Sequence, residues 1–290
     1  MTEVVNSQLP YSWEVLMRYR LIEIIALWEG RLTTNHLCNS FQIKRQQASK
    51  DINRYNNEIA PGNLVLDRKL KGFRPSDSFK PLFTKGIADE YLHAMASRRE
   101  IAHTFSSLDL GFDQTEMLHP PVRHVNHDIL RALVQAARNG QKIDMGYVSM
   151  TSPDEESRII TPHTLVFTPL RWHVRAYCEK NRDYRDFVLS RFRGINGVEG
   201  PSTNLKEQDI RWNQQVDIVL KPDPRLTDYQ QKIVEHDYAM QDGKHVISTR
   251  SALIPYAVQL LNIDLGKLES KPEAQQIVID NLDDVKRHAF

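Results

Sequence analysis

Hydrophobic residues at helical spacing define three predicted helices in the first 80 positions of the chain. The first is expected over residues 12–29 with Gly30 as its stop, and Thr33 caps a short second helix. A third is expected from Lys44 until Pro61-Gly62, with hydrophobic residues at intervals of four, three and four. These residues are Ala48, Ile52, Tyr55 and Ile59.

The polar face of the third predicted helix carries side chains that can bond base edges or phosphates. They are Lys44, Arg45, Gln46, Gln47, Ser49, Lys50, Asn53 and Arg54. The segment that follows predicts two short strands around a basic turn of Arg68, Lys69 and Lys71. This order of elements is typical of a recognition helix in the major groove with a wing along the DNA backbone. An ordinary three-helix bundle with a charged face is the alternative.

The residue types on this face match the chemistry of DNA contacts. Arg bonds guanine in a fork, Gln or Asn bonds adenine, and Lys and Ser hold phosphates. Lys44 stands where a Ser or Thr cap is usual. We therefore expect the start of the third helix to be capped by another group or by a DNA phosphate.

Charge is distributed unevenly along the chain, although the net charge is only +1. Residues 41–80 contain nine basic and four acidic side chains, and residues 171–193 contain seven basic and three acidic ones. From residue 200 onward, fourteen acidic side chains outnumber eleven basic ones. Two basic surfaces indicate two anionic partners, or one partner contacted twice, unless both are ordinary solvated faces.

The region between residues 81 and 140 predicts a helical connector. Helical spacing is present over residues 81–105 and again over residues 127–138, with an irregular segment between them. His119, His124 and His127 are close in sequence, but no carboxylate or cysteine completes a ligand set, so no metal or other cofactor is expected. Cys38 and Cys178 are expected to be buried and unpaired.

The pattern changes from helical to alternating after Lys142 and predicts a small, strongly curved antiparallel sheet. The expected strand segments are residues 142–150, 157–169, 171–180 and 183–195. In the segment from Arg171 to Tyr177, alternation separates a cationic and aromatic face from an apolar one. The first face has Arg171, His173, Arg175 and Tyr177, and the second has Trp172, Val174 and Ala176. The last 75 residues predict a strand, a helix, a hairpin that turns at Asp242-Gly243, and a further helix from Ser251.

Two stretches of the chain resemble known families. Residues 31–56, RLTTNHLCNSFQIKRQQASKDINRYN, resemble the winged helix-turn-helix of bacterial repressors. About 55 residues resemble the WYL domain, a small SH3-like or Sm-like barrel of bacterial regulators. The matching elements are Tyr147, PHTLV around His163, the segment Arg171-Trp172-His173-Val174, and R-x-F-x-L-S-R from Arg185 to Arg191. His173 and Val174 replace the Tyr and Leu that are usual there.

These resemblances imply an α+β multidomain protein with four parts. They are a winged helix-turn-helix DNA-binding domain over residues 1–80, a helical connector over 81–140, an SH3/Sm-like WYL β-barrel over 141–200, and a C-terminal α/β dimerisation domain, the extension that commonly follows a WYL domain, over 201–290.

The WYL resemblance implies a basic pocket that senses a nucleotide or nucleic-acid ligand. Guanidinium groups bind phosphate oxygens in pairs, and His, Tyr and Ser add hydrogen bonds. The expected ligand-binding residues are Tyr147, Ser149, His163, Arg171, His173, Arg185, Ser190, Arg191 and Arg193. Alternatively, some of these arginines pair with Asp183, Asp186 or Glu179 on a solvated rim.

The three parts together resemble the repressors encoded beside phage-defence systems of the BREX and CBASS kind. That resemblance implies a cytoplasmic homodimer that represses its own operon from a pseudo-palindromic operator in double-stranded DNA and responds to a nucleotide or nucleic-acid effector. No membrane partner is expected, since no apolar run approaches the roughly 18 residues of a membrane span. A nucleic-acid-processing enzyme is the alternative from another class, but no paired carboxylates or nucleophile-base set accompany the arginines. A transcriptional activator of the same architecture also remains open.

Overall fold

The computed structural model describes residues 11–88, 90–92, 94, 95, 121, 123–150, 154–168 and 170–289. Contacts between residues divide the chain into two compact units, residues 1–119 and residues 120–290. Within the described ranges, no helix has the length and apolar character that crossing a membrane requires.

The first unit has three helices followed by a hairpin. Its elements are α1 (Trp13–Ile24), α2 (Thr34–Phe41), α3 (Arg45–Arg54), β1 (Leu64–Asp67) and β2 (Gly72–Pro75). Helices α1 and α3 each continue into a π-helical turn, over Ile25–Glu29 and Tyr55–Ile59 respectively. Gly30 ends the first of these turns in the left-handed conformation, which confirms the predicted stop.

The core of the first unit lies where α1, α2 and α3 meet. The predicted stripe of the third helix is confirmed, because Ala48, Ile52 and Tyr55 are fully buried and Ile59 packs against them. Of the helix predicted over residues 81–105, Met95 is buried in this core, and the positions beyond it lie outside the described residues.

The wing is joined to the helices by a backbone bridge. Strands β1 and β2 are antiparallel, and the amide and carbonyl of Phe73 pair with those of Leu32, which precedes α2. Gly72 allows this approach, since a Cβ atom there would lie 2.7 Å from the Leu32 carbonyl oxygen.

The second unit contains a helix, a five-stranded sheet and a smaller α+β part. Its first elements are α4 (His127–Asn139), β3 (Gln141–Tyr147), β4 (Glu156–Thr168), β5 (Arg171–Cys178), β6 (Asp183–Val188) and β7 (Phe192–Pro201). The later ones are α5 (Ile210–Asn213), β8 (Gln215–Pro222), α6 (Asp228–Asp237), β9 (His245–Arg250), α7 (Ile254–Leu260), α8 (Pro272–Gln275), β10 (Ile277–Ile279) and α9 (Leu282–Ala289).

The larger sheet is open and is not the closed barrel that we expected. Its strand order is β6-β5-β4-β3-β7, all antiparallel, so β6 and β7 are the two edges. A turn of 3₁₀-helix over Leu189–Arg191 separates these two strands, where the sequence predicted one continuous strand. The sheet is curved enough for the Tyr147 hydroxyl on β3 to accept a hydrogen bond from the Val188 amide on β6. The edge strands β6 and β7 do not pair with each other.

Both faces of strand β5 are covered over most of its length. Val174 and Ala176 are buried in the core that α4 shares with the sheet, as alternation predicted. Trp172 belongs to the same face but is about half exposed, at 48%, and contacts Phe167 of β4. His173 and Arg175, on the opposite face, are buried. Cys178 is also buried, Cys38 is partly buried, and neither forms a disulfide.

The C-terminal part is built on a three-stranded antiparallel sheet of order β10-β8-β9. Its hydrophobic core includes Ile218, Leu220, Ile254 and Val285. The predicted turn at Asp242-Gly243 is present, with both residues in the left-handed conformation. The strand that this turn introduces, β9, pairs with β8.

Candidate functional site

Helix α3 presents one polar face to solvent because its other face is fixed in the core. Burial of Ala48 and Ile52 directs the remaining side chains outward. Of the eight DNA-contact residues predicted on the third helix, seven are exposed, and the eighth, Ser49, is partly exposed. The seven are Lys44, Arg45, Gln46, Gln47, Lys50, Asn53 and Arg54.

A buried ion pair fixes α3 against α1. Arg18 Nε lies 2.7 Å from Asp51 Oδ2, and both side chains are almost fully buried. Gln47 donates to the other Asp51 oxygen at 2.8 Å, so its amide already has a partner within the helix. Arg54 likewise bonds Glu58 at 3.3 Å and lies over the Tyr11 ring.

The N-terminus of α3 has no side-chain cap. Lys44 occupies the capping position with extended backbone, and its side chain accepts no bond from the first turn. Amide groups of a first turn that lack such a partner form the positive end of the helix dipole. This end of α3 can therefore receive an anion such as a phosphate.

The wing has a fixed turn that exposes its cations. Asp67 Oδ1 accepts hydrogen bonds from the amides of Lys69 and Leu70, at 2.8 and 3.0 Å. Arg31 donates from Nε to the Leu70 carbonyl at 2.6 Å. Arg68, Lys69 and Lys71 are all exposed.

Two residues near the predicted DNA-contact surface were missed by sequence reasoning. Asn57 continues the exposed face of α3 and lines a shallow groove with Lys50 and Asn53. It could have been found by extending the helical spacing one turn further. Arg31 supports the wing from 39 positions away, and no local pattern marks that contact.

In the second unit, Arg175 belongs to a buried ionic network and not to a free cationic face. Its guanidinium donates to both oxygens of Asp209, at 2.7 and 3.1 Å, and to Asp186 at 3.4 Å. Despite burial, these carboxylates raise the pKa of Arg175. Asp209 also accepts from the Trp212 amide at the start of α5, so the network joins the sheet to the C-terminal part.

His163, a predicted ligand residue, lies inside this network. Its Nε2 is 3.2 Å from Asp209 Oδ2, and its Nδ1 is 2.8 Å from the Thr164 hydroxyl. Burial alone would raise the pKa of Asp209, but hydrogen bonds from His163 and Arg175 outweigh it and hold that pKa well below its usual range. Asp209 was not predicted, because it lies outside every motif that the sequence shows.

His173 lies in a cationic environment on the same face of the sheet. It is only 2% exposed, and its Nδ1 atom has no hydrogen-bond partner among the described residues. Burial, followed by the positive charges of Arg171, Arg191 and Arg123, lowers the pKa of His173 to about 4. We call these four residues the basic cluster.

The arginines of the basic cluster are accessible. Arg171 and Arg191 are partly exposed and Arg123 is exposed, and no carboxylate pairs with any of them within the described part of the chain. Sequence reasoning predicted Arg171, His173 and Arg191 but missed Arg123, because it lies in the segment before α4 that carries no recognisable pattern.

The other predicted ligand residues have different positions. Tyr147 is a core residue that contacts Phe187 and Phe192. Ala176 pairs with Arg185 across β5 and β6, which places Arg185 on the sheet face opposite His173.

Three further predicted residues lie near Arg191 along the backbone. Arg193 is exposed and donates to the carbonyls of Ser190 and Phe192. Ser190 directly precedes Arg191, and Ser149 follows Val148, whose amide donates to the Arg191 carbonyl at 3.1 Å.

No group of three or more His, Cys, Asp or Glu side chains that could hold a metal is found among the described residues. Of the three histidines considered for a metal site, His119 lies outside the described residues. His127 lies beside Asp128 at 3.3 Å, and both side chains are exposed.

Three family models match successive parts of the chain. The winged helix-turn-helix domain of the BrxR transcriptional regulator matches residues 14–97. The WYL domain matches residues 128–196, and the C-terminal dimerization domain of the BrxR transcriptional regulator matches residues 215–285. The resemblance to WYL-domain transcriptional regulators is thereby confirmed.

Curated relatives align over almost the whole chain. The DNA-binding transcriptional repressor CapW of Pseudomonas aeruginosa is 33% identical over 94% of this chain and 91% of its own length. The chain belongs to the CapW family of DNA-binding transcriptional repressors. CapW of Escherichia coli (strain KTE188) is 32% identical over 94% of this chain and 91% of its own length. CapW of Stenotrophomonas maltophilia is 29% identical over 95% of this chain and 92% of its own length.

Among solved structures, proteasome accessory factor B/C of Arthrobacter aurescens aligns with 95% of this chain and 48% of its own. The identity is 15% and the TM-score 0.25, which is too low to establish a shared arrangement.

Membership of the CapW family decides between the classes that the sequence left open. The named relatives are repressors, and all three matching domains are regulatory, so the chain is a transcriptional regulator and not an enzyme. The match to a BrxR dimerization domain adds self-association through the C-terminal part.

Proposed function

We propose that this CapW-family chain is a homodimeric repressor that reads a pseudo-palindromic operator with α3 in the major groove. The observation that carries this proposal is the exposed polar face of α3, held from behind by buried Ala48, Ile52 and the Arg18–Asp51 ion pair. Rigid support lets side chains specify bases without reorganising. Arg45, Gln46, Lys50 and Asn53 have no carboxylate partner among the described residues and contact base edges or nearby phosphates.

The remaining predicted DNA contacts position the protein on the backbone. The uncapped start of α3 at Lys44 and the wing cations Arg68, Lys69 and Lys71 bind phosphates. Gln47, Ser49 and Arg54 lie at the edges of this surface. Gln47 and Arg54 contact DNA only after giving up their hydrogen bonds to Asp51 and Glu58.

Dimerisation gives the recognition helix its specificity. One helix reads few base pairs, whereas two related by a two-fold axis read two half-sites. The C-terminal dimerization match supports this arrangement. The operon that the chain represses is its own and belongs to a phage-defence system. This part of the proposal is supported by the resemblance to repressors encoded beside BREX and CBASS systems.

The basic cluster is the proposed effector site. Three accessible arginines around one buried histidine suit an anionic nucleotide or nucleic-acid group, because guanidinium binds phosphate oxygens bidentately. Ser149 and Ser190 border the cluster through the Arg191 backbone. An effector changes DNA binding only if it binds one conformation of the repressor more tightly than another, and the two conformations differ in their affinity for DNA.

Salt-dependent DNA binding tests the role of α3. The measurement is fluorescence anisotropy with a labelled duplex from immediately upstream of the gene, at four salt concentrations. Lys50→Ala should weaken binding and lower the slope of log K against log salt by about one. Lys232→Ala, which removes one exposed charge from α6 in the other unit, is the matched control. Equal slopes for both variants would refute the assignment of α3.

A further inference from the structure

The C-terminal dimerization domain contributes a side chain to the surroundings of the effector site. Tyr256 lies on α7, and its ring centroid is 5.0 Å from that of His173, with the planes inclined at 41°. The sequence motif that contains His173 gave no sign of this contact, which joins residues 83 positions apart. His173 is therefore packed by a residue from outside the WYL domain.

The position of Tyr256 is itself fixed by hydrogen bonds. Its hydroxyl donates to Asp186 Oδ2 at 3.0 Å, and Arg175 donates to Asp186 Oδ1 at 3.4 Å. Arg175 in turn bonds both oxygens of Asp209. Arg175, Asp186 and Asp209 are buried or nearly so, and a shift of Tyr256 would break its hydrogen bond to the Asp186 carboxylate.

His173 itself has an unmet need for a hydrogen bond. A buried polar atom without a partner is costly, and Nδ1 is such an atom. Among the described residues, the charged groups that change the pKa of the ring are three cations: Arg171 on its own strand, Arg191 in the 3₁₀ turn, and Arg123 before α4. Asp186 is occupied by Tyr256 and Arg175.

The same surroundings explain why the ring is neutral at pH 7. Burial and the three arginines lower the pKa of His173 to about 4, so protonation is opposed while no anion is bound. An anion placed among the arginines would cancel their repulsion and add an attractive charge. The pKa of the ring would then rise towards its ordinary value of 6.5.

We propose that Tyr256 positions His173 as a proton-coupled ligand of the effector. As an anionic oxygen binds the arginines, Nδ1 takes one proton from solvent and donates a hydrogen bond to that oxygen, while the tyrosine ring supports the imidazolium face. This inference rests on the proposed effector site. It adds Tyr256, a residue of the dimerization domain, to the site. It also predicts that the affinity for the effector depends on pH.

Sulfate is the probe that tests this coupling, since it stays a dianion from pH 5 to pH 8. Binding to the full-length chain is measured by calorimetry and by the His173 ring resonances at pH 5.5 and 7.5. If the bound pKa reaches about 6.5, affinity rises about tenfold on going to the lower pH. His173→Gln should bind with nearly the same affinity at both values.

Variants of Tyr256 separate positioning from simple structural support. Tyr256→Phe keeps the ring and should retain most of the pH dependence, whereas Tyr256→Leu removes the ring and should lose most of it. Circular dichroism establishes that each variant is folded. The inference is wrong if Tyr256→Leu matches the wild type, or if His173→Gln keeps the tenfold change.

Glutamine substitutions of arginine distinguish failure of the inference from failure of the effector site. Arg171→Gln combined with Arg191→Gln should abolish sulfate binding, and Arg182→Gln, an exposed position in the turn between β5 and β6, should not. If the double variant binds like the wild type, the effector site and the inference both fall. If it loses binding but the pH dependence survives in His173→Gln, only the inference falls.

Discussion

Arg171 and Arg175 lie four positions apart on strand β5, and their surroundings give them different roles. Arg175 is buried between Asp209 and Asp186, so its charge is satisfied inside the protein. Arg171 is partly exposed and has no carboxylate partner among the described residues. Arg175 is not one of the predicted ligand residues. In the described part of the chain, none of the predicted ligand arginines forms an ion pair with Asp183, Asp186 or Glu179, so Arg171 is available to the proposed effector.

Removal of the Asp209 charge should destabilise the second unit. Asp209→Asn leaves Arg175 buried without a full counter-charge and weakens the cap of α5. We expect the free energy of unfolding to fall by about 3 kcal/mol, as for other broken buried pairs. Urea denaturation followed by circular dichroism measures this loss. Asp228→Asn, at an exposed position on α6, is the control, and an equal effect of both substitutions would contradict the network's role.

The burial of neutral His173 should make stability depend on pH. Its pKa is about 4 in the folded chain and 6.5 in the ordinary state, so the unfolded chain binds more protons between these values. The free energy of unfolding should fall as the pH decreases through this window, by up to ~3 kcal/mol. His173→Gln should show a flatter profile in anion-poor buffer. Parallel profiles for the two proteins would disprove this assignment.

At the scale of elements, one carboxylate holds the segment after the wing against α1. Glu23 is fully buried and accepts hydrogen bonds from the amides of Leu82, Phe83 and Thr84. The Tyr55 hydroxyl donates to the same carboxylate at 2.9 Å. Glu23 thus joins α1 to the segment after the wing and to the π-helical turn that continues α3.

Loss of the negative charge at this point should loosen the whole winged helix. Glu23→Gln replaces an acceptor oxygen with a donor that faces backbone amides. We expect a loss of about 2 kcal/mol or more in the free energy of unfolding, because buried donors lose their partner. Thermal unfolding and hydrogen exchange of residues 82–84 measure it. Glu14→Gln, an exposed position on α1, should behave like the wild type.

Sequence patterns predicted the elements whose signals are local. The spacing of Ala48, Ile52 and Tyr55 identified α3, and alternation identified β5, because each signal depends on one element's own periodicity. The open sheet was not predicted, since strand closure depends on contacts between distant edges. The break at Leu189–Arg191 was missed because its residues continue the alternating pattern.

The candidate site was predicted only where a motif carried it. Arg171, His173 and Arg191 belong to the WYL pattern, whereas Asp209, Tyr256 and Arg123 come from other elements and meet them only in the folded chain. His163 also belongs to the motif, but its ring is buried and lies in hydrogen-bond contact with Asp209 inside the protein. A motif thus specifies residue types, and packing decides which of them stay accessible.

At the scale of the whole molecule, the proposed DNA-recognition surface and the proposed effector site belong to different units of the chain. The polar face of α3 lies in residues 1–119, and the basic cluster lies in residues 120–290. The dimerization match falls in the second unit, and Tyr256 belongs to that match. The side chain that we propose as a support of the effector site therefore lies in the matched dimerization domain, and the proposal links effector binding with self-association.

Footprinting on the DNA immediately upstream of the gene tests the central claim most directly. The wild-type chain should protect two related half-sites whose centres are separated by a whole number of helical turns, as a two-fold dimer requires. Arg45→Ala combined with Lys50→Ala should remove both footprints together, while Lys232→Ala should leave them unchanged. A single unpaired footprint, or protection that survives the double substitution, would contradict the account.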